Sequence, residues 1–222
     1  MKKFSILLLL LIVLATPVFG QGLEELARQR IAQETGLDED LIATMFVSEE
    51  NAQFILTFIY IEDRTFDSRL KPELLTAIAP YRNSEAMLVL VTPAQDSYFN
   101  PLAISFTQDR AVYNVRLTSI RRISESFTVG TLPAGEVSSG IILLDRLELR
   151  SSLVPGGGLE VNRPFQIGYM GRYTADFALS SGEPLDLGLG VSSGEEGGSL
   201  LEILLFGLLN FLLFLLLSFL VV

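Results

Sequence analysis

PLAISFTQDRAVYNVRL (residues 101–117) reads as two short strands flanking a turn at Asp109-Arg110. The same texture continues downstream. SESFTVGTL (124–132) alternates apolar and polar residues, and VSSGIILLD (137–145) follows the turn LPAGE. FQIGY (165–169) and RYTADFAL (172–179) close around Met170-Gly171, a two-residue hairpin connection. Short strands at about ten-residue spacing, punctuated by Gly and Pro, predict an antiparallel β-sandwich over residues 96–179.

Upstream, residues 21–95 predict a small α/β unit. LEELARQRIAQ (23–33) sets Leu23, Leu26, Ala27 and Ile31 on one helical face, with Gly36 as its stop. The acids at Asp38–Asp40 predict the start of a second short helix over DEDLIATMF (38–46). FILTFIYIE (54–62) reads as a buried strand, Pro72 opens a helix over ELLTAIAPY, and MLVLV (87–91) is a further strand. The fold class expected for the whole body is α+β: a small α/β unit followed by a β-sandwich.

The two ends carry different signals. Lys2 and Lys3 precede an apolar run from Phe4 to Ala15, and Val18 and Gly20 occupy the −3 and −1 positions of a cleavage site before Gln21. Residues 1–20 therefore predict a secretory signal peptide. At the other end Leu200–Val222 is a nearly unbroken apolar run, interrupted after Glu202 only by Gly207, Asn210 and Ser218. Its 20 residues from Ile203 would rise roughly 30 Å as a helix, enough for one membrane crossing. A glycolipid-anchor signal fits less well, because only Glu195 to Ser199 separates the small residues Ser192, Ser193 and Gly194 from the apolar run. Between body and span lies SSGEPLDLGLGVSSGEEGGS (180–199), a flexible acidic tether that reaches roughly 25 Å as a random coil. The expected topology is a single-pass membrane protein with its ectodomain outside the cytoplasm, in the periplasm or at the cell surface.

Composition excludes several chemistries. The formal charge of −10 becomes −12 when Lys2 and Lys3 leave with residues 1–20, a surface that repels nucleic acid and anionic headgroups. There is no His and no Cys. That removes Ser-His-Asp and Cys-His nucleophiles, His/Cys zinc sites and thiol redox centres, and leaves the ectodomain without disulfides. Oxygen-ligated calcium, a Ser–Lys dyad and carboxylate catalysis remain. For calcium, Asp38, Glu39 and Asp40 lack the alternate spacing of a calcium loop and suit a helix start instead. The dyad would need Ser68 and Lys71, the only lysine after residue 20, and Lys71 sits in the polar stretch DRTFDSRLKPE. The glycine-rich VPGGGLE (154–160) lacks the Lys-Ser/Thr of a phosphate loop and reads as a hairpin loop. No cofactor, metal or catalytic residue is expected, and the acids are expected on solvated faces with ordinary pKa values.

Two places remain as candidate contacts. Tyr98 and Phe99 in DSYFNP (96–101) are aromatics in a connecting segment, where they would stack on a protein or glycan ligand or plug the end of the sandwich. Asn210 within the apolar run would pair with a neighbouring helix.

FTVGTLPAGEVSSGIILL (127–144), with PLAISFTQDRAVYNV before it and PFQIGYMGRYTADFAL after, resembles the immunoglobulin-like domains of prokaryotic surface proteins. The resemblance spans residues 101–179 and lacks the Cys pair and Trp of antibody domains. It implies a binding or spacing module. The functional expectation is a non-enzymatic, membrane-anchored interaction module of unknown ligand. The alternatives are a carboxylate-dependent extracytoplasmic hydrolase and an accessory subunit of a membrane complex.

Overall fold

The computed structural model describes residues 22–151, 158–180, 211–212 and 214–220. The expected signal peptide, residues 152–157 with most of the glycine-rich stretch, the tether from 181 onward and Asn210 lie outside the described residues. Mostly antiparallel sheets with few helices make up the fold.

Helix α1 (residues 22–35) buries Ala27 and Ile31, as its spacing predicts, while Leu26 stays largely exposed. It ends where Gly36 turns to φ 72° and its N–H donates to Ala32 O at 2.8 Å. The next segment departs from expectation. Asp38–Asp40 lead into a single 3-10 turn (Glu39–Leu41), after which strand β1 (Ile42–Glu49) replaces the expected helix. Pairing decides the outcome: β1 runs antiparallel to β2 (Ala52–Tyr60) in unbroken register from Ile42↔Ile59 to Glu49↔Ala52. A continuous ladder satisfies the backbone groups facing β2, which the local helix signal of three acids cannot match.

Helix α2 (Pro72–Ile78) starts at Pro72 as expected, and strand β3 (Ala86–Pro93) is buried along its whole length. Strand β3 pairs with β2 on one side. On its other side it pairs with β9 (Ser138–Leu143), which in turn pairs with β7 (Ile120–Arg122). The first sheet is thus ordered β1-β2-β3-β9-β7, and it crosses the boundary expected between residues 95 and 96. Residues 21–95 supply its first half, without a separate sheet of their own.

The second sheet contains β5 (Ile104–Gln108), β6 (Ala111–Asn114), β10 (Glu148–Ser151), β11 (Phe165–Tyr169) and β12 (Tyr173–Phe177), ordered β10-β6-β5-β11-β12. Both expected turns sit where the sequence places them. Asp109 takes φ 54° between β5 and β6, and Met170 and Gly171 take 53° and 68° between β11 and β12. A short pair, β4 (Ser97–Phe99) with β8 (Gly130–Leu132), completes the strands; only the end of the expected 124–132 strand forms.

Aromatic rings join the two sheets. Phe54 of β2 meets Tyr169 of β11 edge-on at 5.6 Å, and Tyr60 meets Phe177 of β12 at 6.1 Å. Phe99 adds to the first of these contacts, 5.9 Å from Phe54, 6.2 Å from Tyr169 and 5.4 Å from Phe127. Phe127 in turn lies against the backbone of β9. A Cβ added at Gly140 would fall inside the van der Waals envelope of its ring, so only glycine fits there.

The C-terminal stretch is helical over the described residues 211–212 and 214–220. Leu212, Leu216 and Leu220 are buried at four-residue spacing, while Phe211 and Phe214 are exposed. No helix among the described residues is long and apolar enough to cross a membrane.

Candidate functional site

Alternation along β4 decides where its aromatics go. Ser97 and Phe99 point inward and are fully buried, so Tyr98 points outward and is 49% exposed. Phe99 is therefore a core residue beneath the surface, and Tyr98 is the surface member of the pair.

Hydrogen bonds gather three segments at the Tyr98 end of the molecule. Its N–H donates to Asn51 O in the β1–β2 turn at 2.9 Å. The Asn100 N–H donates to the Tyr169 hydroxyl at 3.2 Å, and the Met170 N–H donates to Ala103 O at 3.0 Å. The Tyr173 hydroxyl donates to Ser48 O at 2.8 Å, and Arg172 pairs with Glu49 at 3.2 Å. Burial raises the pKa of Tyr169, partly offset by the Asn100 N–H, so the hydroxyl stays protonated and fixed. The β1–β2 turn, residues 98–103 and the β11–β12 turn are thus fastened into one end of the molecule.

That end presents Tyr98, Leu102 and Met170, three large apolar side chains that are all exposed. Met170 is the anomaly. Left-handed backbone favours Gly, Asn or Asp, and costs an unbranched apolar residue roughly 1 kcal/mol. Here a methionine holds φ 53° while its side chain stands in solvent. In the sequence Met170-Gly171 reads only as a turn; the signal for more is an unusual residue type at the first turn position. Leu102 follows Pro101 in a 3-10 turn capped by Asn100, whose side chain accepts the Leu102 N–H. Nothing in its sequence context distinguishes it.

The opposite end of β1 is charged. Arg64 donates to Asp38 at 2.8 Å and to both oxygens of Asp40 at 3.1 and 3.0 Å, and it also contacts Glu62. Asp40 accepts the Ser180 N–H as well, at 3.0 Å. Two of the three acids considered for calcium therefore serve an arginine clamp that fixes the point where the chain leaves the second sheet. Strand β1 separates the two ends by its eight residues, roughly 26 Å.

The catalytic alternatives fare differently. Ser68 donates to Thr65 O at 2.7 Å, and the Lys71 ammonium donates to Ser218 O, so the two groups of a Ser–Lys dyad are engaged elsewhere. The acids are not uniformly ordinary, which corrects the expectation. Glu24 on α1 is half-buried, and its pKa is pushed up to about 7 chiefly by desolvation, with a smaller contribution from Asp176. Its Oε1 accepts the Phe46 N–H at 3.0 Å, which opposes the rise. Asp176 is exposed and accepts a hydrogen bond from Gln166 at 3.1 Å. A carboxyl that holds a strand N–H is built to dock α1 on β1.

No protein-family model, no curated protein and no solved structure matches this chain.

Proposed function

We propose that the protein is a non-enzymatic interaction module, an immunoglobulin-like β-sandwich held outside the cytoplasm by its C-terminal apolar segment. Its contact surface is the end formed by Tyr98, Leu102 and Met170. One observation carries the reading: exposed apolar residues cluster at the end of β1 opposite the Arg64 clamp, where the chain departs toward the tether. A module anchored through residues 200–222 would hold that end away from the membrane. Leu102 and Met170 favour a protein surface as the ligand over a glycan, which would use Tyr98 alone.

A photoreactive phenylalanine analogue at position 98 or 170, in native cells, tests this. The expected result is the same discrete adduct from both positions and none from position 26, where Leu26 is 43% exposed on α1. Equal labelling at all three positions, or no adduct at 98 and 170, would overturn the assignment.

A further inference from the structure

The described helical residues 214–220 lie against the body of the protein. The Lys71 N–H donates to Leu220 O at 2.6 Å, and the Lys71 ammonium donates to Ser218 O. Both carbonyls belong to the C-terminal part of the described helical residues 214–220, the side toward which a helix carries partial negative charge. Lys71 precedes Pro72 at the start of α2, so one residue supplies both a main-chain donor and a cation to carbonyls of this helix. Leu216 and Leu220 are completely buried, and Leu212 nearly so. Further along, the place of a Cβ on Gly135 lies 3.7 Å from Leu215. Phe219 shares the lining of an open apolar cavity with Pro72, Leu74 and Ile123.

This seat and a membrane crossing exclude one another. With the ectodomain outside, a helix spanning from residue 200 places Leu220 at the far face, roughly 30 Å from any ectodomain residue. We propose that the apolar segment has two alternative seats: the bilayer, and a groove on its own ectodomain closed by Lys71. The groove shields one leucine stripe from water until lipid is available. The exposed Phe211 and Phe214 on the other side of the helix leave an apolar face for lipid to engage. The proposal rests on the membrane-anchor reading, and its test separates the two.

The chain has no cysteine, so an Ile123→Cys, Phe219→Cys double variant carries a single pair of thiols. The whole chain is synthesised in a cell-free system with and without phosphatidylcholine vesicles, then treated with a short bifunctional thiol reagent. The expected result is efficient crosslinking without lipid and at least a tenfold loss in the protein that floats with vesicles. Adding Lys71→Met should lower the lipid-free crosslink severalfold and raise the floated fraction. A Lys71→Arg variant should restore both, because it keeps the cation. Absence of the crosslink without lipid would overturn the groove while leaving the anchor intact. Persistence of the crosslink in floated protein would overturn the exclusivity. A crosslink in both conditions with no flotation would overturn the two-seat proposal together with the anchor.

Discussion

Phe99 and Tyr169 are buried, and their immediate neighbours Tyr98 and Met170 are exposed. Two adjacent pairs, one on β4 and one at the end of β11, thus divide the same end of the molecule into a floor and a surface. The floor is an aromatic cluster of Phe54, Phe99, Phe127 and Tyr169 that joins the two sheets. The surface rests on it through the Asn100 and Met170 hydrogen bonds. Residues one position apart therefore answer to different pressures. The inner member is selected by packing, where a lost ring leaves a cavity; the outer member is free to be selected by a partner.

The largest effect should come from the floor. Phe99→Ala removes a fully buried ring that touches three others and should cost about 3–5 kcal/mol in denaturant unfolding. Gly140→Ala attacks the same cluster from below. Its new methyl would collide with the Phe127 ring, so the loss should be about 1–3 kcal/mol. Adding Phe127→Leu should recover part of that loss, because the clash partner becomes smaller and flexible. If Gly140→Ala proved neutral, Phe127 would not lie on β9 and the floor would need another support.

Glu24 sharpens the contrast at the far side of β1, where a polar group is buried by packing. Its folded pKa of about 7 lies above the ordinary value of 4.5. The folded state therefore binds the proton more tightly, and this contribution is fully present below about pH 4.5 and is lost as pH rises through about 7. Unfolding measured across that window should show stability falling by about 2 kcal/mol, after allowance for partial solvent exposure. Glu24→Gln keeps an acceptor for the Phe46 N–H and should flatten the profile, leaving the variant more stable than wild type at about pH 8. An unchanged slope in the variant would assign the titration to another group.

Much of the strand pattern is legible in the sequence. FILTFIYIE, MLVLV, FQIGY and the Met170-Gly171 turn all lie where β-branched and aromatic runs and turn residues put them. The segment 38–46 is not. Its three acids are a local helix signal, while the ladder from Ile42↔Ile59 to Glu49↔Ala52 is a tertiary fact that a window of residues does not contain. The joining of β3 to β9 is hidden for the same reason, since strands about fifty residues apart carry no mark of each other. Of the candidate contact, Tyr98 is legible as an aromatic in a connection, but its separation from Phe99 requires knowing that Ser97–Phe99 is a strand. Leu102 and Met170 join it only through the hydrogen bonds that fold the two turns together.

The division between floor and surface is tested most directly by the equilibrium stability of the Tyr98→Ser, Met170→Gly double variant. Tyr98→Ser should change stability by less than about 0.5 kcal/mol, because the ring stands in solvent. Met170→Gly should add about 1 kcal/mol by relieving the left-handed methionine. The account predicts a double variant at least as stable as wild type. A loss of about 2 kcal/mol or more would contradict it, because Tyr98 and Met170 would then belong to the core they border.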